Sequence, residues 1–230
     1  MDDLYYLESI KGPLLDEFLV RGYYRMGMYV FTTHELDPNA DGTKYPVYWL
    51  RYNVTHVALP TRNQQLLRKN AAFEVAIKSF ELTDELVSLH AAYVASVNFK
   101  TAQTLRDNLH DTENNVYDTH VIELRDNGKL IGAGIFDKGA RSIAGIINIY
   151  DPAYRQRHSL GKYLMLLKYR YCLDHNIPYY YPGYFSPTYP VFDYKLFLDK
   201  KATEVFIPKV AAWIPYEVFA DAISDKRLTD

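Results

Sequence analysis

The chain has 230 residues, 48% of them hydrophobic and 23% charged, enough for one full core or two small ones. Its lone cysteine, Cys172, excludes a disulfide or a cysteine-bound metal within one chain, and its net charge of -2 gives no bulk attraction for a polyanion. It holds no apolar run of membrane-spanning length, and MDDLYYLESIKG lacks the basic-then-apolar order of an export signal, so neither a membrane nor DNA is an expected partner and a cytoplasmic location is expected.

The pattern predicts a short helix around Leu14 to Arg21, the strand GMYVFTT, a polar loop HELDPNADGTKYP and the strand YWLRYNV, followed by the basic stretch PTRNQQLLRKN. Asp37, Asn39, Asp41 and Gly42 have the spacing that opens a calcium loop. Tyr48 stands where a bidentate glutamate is needed, so a plain turn is expected. FEVAIKSFELTDELVSLHAAYVASVNF reads as a strand and then a helix capped at Thr83 or Asp84, with Leu86, Leu89, His90 and Tyr93 on one face and His90 a satisfied core residue. The polar stretch LRDNLHDTENNVYD reads as a solvated loop.

Three strands come next, separated by Asp-Asn-Gly and Asp-Lys-Gly-Ala turns, and the last of them, SIAGIINIY, is stopped by Asp151-Pro152. A basic loop then feeds a helix with Leu160, Tyr163, Leu164, Leu167 and Tyr171 on one face, Ser159 as its expected cap and Cys172 a buried, inert thiol. Such a helix start attracts phosphate or a carbonyl oxygen. The strand IPYYYPGYF, a short helix around Val191 to Leu198 and the strand ATEVFIPKVAAWIP complete the chain.

The charges are unevenly distributed. Lys44, Arg51, Arg62, Arg68 and Lys69 fall in one window without Asp or Glu, and Arg155, Arg157, Lys162, Lys168 and Arg170 in another. If the windows meet in space, they form a phosphate-binding face, to which Lys200 and Lys201, outside both, should add little. The 22 tyrosines suit half-buried strands first and base stacking second.

After Phe73 the order is strand, helix, three antiparallel strands, loop, helix, strand, helix, strand. This order matches the N-acetyltransferase-like (GNAT) superfamily, so the expected fold is α/β (α+β), a GNAT-like mixed sheet flanked by helices over 73–230 behind a smaller N-terminal segment, 1–72. The strands ending near Tyr150 and spanning Tyr179 to Phe185 should splay apart within one sheet. Alignment on Gly161 places Tyr163 where acetyltransferases carry Gly or Ala, which predicts crowding of a coenzyme A pyrophosphate.

Six motifs in order resemble those of arginyl-tRNA-protein transferases and their bacterial relatives, the aspartate/glutamate leucyltransferases. They are Gly22, Arg25 and Gly27, with Tyr24 in place of an arginine; Arg51, Arg62, Gln64, Arg68 and Lys69; Tyr150-Asp151-Pro152; Ser159-Leu160-Gly161 with Tyr163; Tyr181, Gly183 and Tyr184; and Pro190 with Tyr194-Lys195. HELDPNADGTKYP replaces the family's paired cysteines, so no metal or redox role follows.

The resemblance implies transfer of Arg or Leu from aminoacyl-tRNA to the N-terminal amine of an acceptor protein, with no cofactor. An acetyl-CoA-dependent N-acetyltransferase, or a non-catalytic binder of protein N-termini or RNA, are the alternatives. On the transfer reading, Asp151, Tyr184 and Lys195 are the catalytic candidates: Asp151 orients or deprotonates the amine, and Lys195 meets an acidic group. Arg157, His158, Ser159, Leu160, Gly161, Lys162 and Tyr163 would hold the tRNA end, and Arg51, Arg62, Arg68 and Lys69 its backbone. Tyr181 and Gly183 line the donor site and Arg25 and Tyr194 the acceptor site.

Overall fold

The computed structural model describes residues 3–38, 40–98, 101–109 and 116–225. Its elements are β1 (Asp3–Tyr6), α1 (Pro13–Val20), β2 (Tyr24–Met26), β3 (Tyr29–Thr32), β4 (Glu35–Leu36), β5 (Tyr45–Pro46), β6 (Tyr48–Asn53), α2 (Thr61–Lys69) and β7 (Glu74–Ser79). There follow α3 (Asp84–Ser96), α4 (Leu105–Leu109), β8 (Thr119–Asp126), β9 (Lys129–Lys138), β10 (Ser142–Tyr150), α5 (Arg155–His158), α6 (Leu160–Asp174), β11 (Tyr179–Phe185), β12 (Thr203–Ile207), β13 (Ala212–Pro215) and α7 (Tyr216–Ser224). A 3-10 helix spans Pro190–Leu196.

Eight strands form one mixed sheet in the order β13-β12-β6-β11-β10-β9-β8-β7, and β1-β3-β2 form a small second sheet. Hydrophobic alternation on β8 sends Val121 toward α3 and Ile122 toward α6, so the two helices cover opposite faces of the sheet. Asn127 and Gly128, both with positive φ, make the tight β8–β9 turn that Asp-Asn-Gly predicts. Thr83 caps α3 by accepting from the Leu86 N–H at 3.3 Å.

β10 and β11 are the parallel pair. They pair only at Ser142–Ala144 with Tyr179–Tyr181 and then part, β10 staying with β9 and β11 with β6. A register shift between Gly145 and Ile147 marks the parting point. The splay expected from the sequence is therefore present, within one sheet.

Several local expectations are corrected. The stretch from Leu105 is no solvated loop: Leu105 and Leu109 of α4 are buried, as are Val116 and Tyr117, because alternate apolar residues in a polar run still seek the core; residues 110–115 lie outside the described residues. The final apolar run is two antiparallel strands, β12 and β13, with Ala211 in the left-handed region at the turn between them. Ser159 does not cap α6 with its side chain. It is the left-handed residue (φ 47°) that ends α5 and starts α6. His90 is buried, but its Nε2 meets no hydrogen-bond partner among the described residues. Cys172 is fully buried, and burial pushes its thiol well up.

Candidate active site

The parted strands open a cleft of about 1580 Å³ between β10, β11, the start of α6, β2 and the 190–196 helix. Tyr24 sits where the strands divide. Its hydroxyl lies 2.7 Å from Gly145 O and 2.8 Å from Tyr181 O, one on each strand, and its ring stacks on Trp49 at 5.0 Å. The hydroxyl's single proton is thus shared between two backbone carbonyls at the point where the splay begins.

Two lysines line the cleft, one buried and one half-buried. Lys168, 1% exposed, extends from α6 to the bulge, where Nζ donates to Ile135 O (2.8 Å), Asn148 Oδ1 (2.9 Å) and Ile147 O (3.4 Å). Burial lowers its ammonium to about 7, with Asp137 pulling the other way. Asn148 in turn donates to Gly161 O at 3.4 Å, tying β10 to the first turn of α6. Lys195 is the second: Nζ donates to Tyr184 O at 2.8 Å and stands 4.8 Å from the ring centres of Tyr184 and Phe192. Burial lowers it, too, to about 7. Gly183, at φ +99°, makes room for it: a Cβ there would lie 3.0 Å from Nζ.

Of the residues singled out in the sequence, Ser159, Gly161, Lys162, Gly183, Tyr184, Tyr194 and Lys195 line this cleft together. Arg25 reaches its wall, but its guanidinium is engaged within the protein by Asp137 (2.8 Å), Thr119, Leu109 O and Gly27 O.

The others point elsewhere. Asp151 caps the turn at Ala153 and pairs with Lys129 at 2.7 Å; that ammonium holds its carboxyl below the usual range, and it does not line the cleft. His158 is bracketed by Asn70, Phe73 and Tyr154. Leu160 is core. Tyr163 is buried against α2, its hydroxyl near Asn70 O, so it does not crowd the cleft and the expected steric bar to coenzyme A falls. Helical period explains it: Gly161, Lys162 and Met165 take the cleft side, leaving Leu160, Tyr163 and Leu164 inward.

Tyr181 lies on the opposite side of β11, against Trp213. Arg51 is held there by Glu204 (2.5 Å) between Tyr179 and Trp213, away from the cleft. Arg62, Arg68 and Lys69 are exposed on α2, which packs against α6, and Arg157 is exposed on α5. The two basic windows thus meet only in part.

Lys168 and Tyr24 were missed as site residues. Lys168 reads as one more charge in a basic window, and only a lysine on the inward side of α6 would have betrayed it. Asp37 accepts from the N–H groups of Asp41 and Gly42, an ordinary turn; Asn39 lies outside the described residues. Among the described residues no cluster of metal-ligating side chains occurs, and no helix is long and apolar enough to cross a membrane.

A mixed sheet whose parallel central strands splay over a helix start is a GNAT-like fold. Among solved structures, L-PGS from Bacillus licheniformis aligns with a TM-score of 0.45 and 9% identity over 80% of this chain and 54% of that one. The ribosomal-protein-S18-alanine N-acetyltransferase from Escherichia coli aligns at 0.34 with 20% identity over 45% and 63%.

Residues 85–202 match the family model described as arginine-tRNA-protein transferase, C terminus, and the chain belongs to that family. The aspartate/glutamate leucyltransferase of Leptospira interrogans is 28% identical over 226 residues, 95% of this chain and 84% of that one. The one from Alcanivorax borkumensis is 25% identical over 191 residues, 76% and 71% of the two chains. The protein is an aminoacyl-tRNA-protein transferase that moves arginine or leucine, and charged tRNA and protein are its partners.

Proposed function

We propose that the enzyme moves leucine from leucyl-tRNA to the N-terminal amine of proteins that begin with Asp or Glu. The observation that carries this choice is the charge of the cleft. Its buried charged side chains are Arg25 and Lys168, with Lys195 half-buried beside them, whereas the carboxylates among its described lining residues, Asp37 and Asp107, are exposed. An arginyl side chain would enter beside three basic groups, with no buried carboxylate among the described lining residues to meet it. A leucyl side chain finds Met26, Phe31, Trp49 and Ile146. The names of the Leptospira and Alcanivorax relatives support the same donor and acceptor.

In this reading the ester carbonyl lies at the first turn of α6, whose Ser159, Gly161 and Lys162 line the cleft and whose partial positive charge favours the developing oxyanion. The acceptor amine attacks, the new C–N bond forms, the ester C–O bond breaks, and the tRNA ribose oxygen leaves with a proton. Asp151 lies outside the cleft, and this reading assigns the amine no carboxylate base. An N-terminal amine is about one-tenth neutral at pH 7, and holding it against an already activated ester supplies most of the acceleration. Lys195 takes the acceptor's side-chain carboxylate, exchanging neutral partners for an anion, and Tyr194 and Tyr184 flank it. The cytoplasm, where charged tRNA is supplied, is the proposed compartment.

Labelled leucyl- and arginyl-tRNA, with acetyl-CoA as a third donor, are offered to peptides beginning with Asp, Glu, Lys or Arg. Leucine should appear on the Asp and Glu peptides. Arginine transfer, a preference for basic N-termini, or acetylation would each overturn the proposal.

A further inference from the structure

A second cavity, of about 520 Å³, adjoins the cleft and shares Ser159, Lys162 and Tyr194 with it. Three cations from three separate elements line it: Arg62 on α2, Lys162 on α6, and Lys200 just before β12, against one carboxylate, Asp193, among the described lining residues. Lys200 lies outside both basic windows of the sequence, and only the fold carries it to Arg62 and Lys162.

Several cations elsewhere have a carboxylate partner: Arg25 has Asp137, Arg51 has Glu204, Lys78 has Glu123, Arg125 has Glu85 and Lys129 has Asp151. Among the described residues, none of the cavity's three has a carboxylate within 4.0 Å. Their nearest partners are neutral. Arg62 donates to Phe197 O at 3.4 Å, Lys162 Nζ stands 5.8 Å from the Phe197 ring centre, and Lys200 Nζ stands 5.5 Å from that of Tyr216. Like charges gathered around one space repel, and an anion entering it relieves that repulsion.

Resting on the transfer reading above, we propose that this cavity takes phosphodiester groups of the single-stranded end of the charged tRNA. Only the ester and its amino acid then lie in the main cleft. The tRNA end leaves the cleft across Ser159 and Lys162 toward α2 and Lys200. Arg51, held away from the cleft by Glu204, does not touch it. Coenzyme A offers the same phosphate chemistry, so the test separates the two sources.

Binding of fluorescein-labelled deacylated tRNA is followed by anisotropy over a range of NaCl concentrations for the wild type, Arg62→Gln, Lys200→Gln and, as a matched loss of charge one residue on and outside both cavities, Lys201→Gln. Arg62→Gln and Lys200→Gln should each weaken binding about three- to tenfold and flatten the log-log salt slope by about 0.7, the value for one single-strand phosphate contact, while Lys201→Gln leaves both unchanged. Thermal melts confirm that these surface variants stay folded.

If the wild type binds tRNA with steep salt dependence but Arg62→Gln and Lys200→Gln match it, the path is overturned while the transferase reading stands. Equal weakening in Lys201→Gln also overturns it, because diffuse charge then suffices. Acetyl-CoA that displaces the tRNA, and whose own binding Lys200→Gln abolishes, would make the cavity a coenzyme site. A wild type that binds no tRNA at any salt would remove both readings together.

Discussion

Lys168→Met isolates the buried ammonium beneath the β10 bulge. Nζ is held by three neutral oxygens, and burial lowers its proton affinity from an ordinary 10.5 to about 7, Asp137 opposing. The groups facing it are Asn148 on β10, Ile135 and Asp137 on β9 and the Tyr180 hydroxyl on β11, which closes the same space beside Gly145. Between those two values the unfolded chain holds the proton and the folded chain does not. The folded state therefore gains stability as pH rises through the window, by about 1.4 kcal/mol per unit. The penalty is fully present below the folded value and gone above the unfolded one.

Methionine keeps the apolar stem and does not titrate. All other groups, Lys195 included, titrate alike in both proteins and cancel in the difference. Loss of the three hydrogen bonds adds a fixed offset of about 1–3 kcal/mol. On top of it, the stability of wild type minus variant should shift by about 2 kcal/mol in favour of the wild type between about pH 7.5 and pH 9. Urea denaturation of both proteins at the two pH values reads this directly. A difference that stays constant would show that the ammonium titrates as an ordinary lysine, and the account of the bulge would fail.

Tyr24→Phe leaves Gly145 O and Tyr181 O without their shared partner, and should lower stability by about 1–3 kcal/mol in denaturant and slow transfer; an unchanged midpoint would mean that the splay holds itself open. Lys195→Met should raise KM about tenfold or more for peptides beginning with Asp or Glu and much less for their amide analogues, since a charge-assisted hydrogen bond contributes about 1.5–3 kcal/mol; equal losses for both would remove the carboxylate contact. Asp151→Asn breaks the pair with Lys129 and should change stability by less than about 1 kcal/mol and leave kcat intact, whereas a large fall in kcat would return Asp151 to the chemistry.

Local chemistry written in the chain settled much of this molecule. Alternation, Asp-Asn-Gly and the helix after Ser159 gave β8, β9, β10 and α6, because turn geometry and side-chain period are short-range properties. The six ordered motifs gave the family. Which motif residues share a site was another matter. Asp151, Tyr181 and Tyr163 stand beside or between cleft residues in sequence, yet the periods of strand and helix turn Tyr181 and Tyr163 away, and a lysine twenty-two residues earlier takes Asp151. The tertiary structure alone set β6, from the N-terminal segment, between β11 and β12. It alone pulled Lys168 beneath the bulge and carried Lys200 to Arg62. Those placements depend on how far two strands part and what fills the gap, a balance of long-range packing and charge burial that no local pattern records.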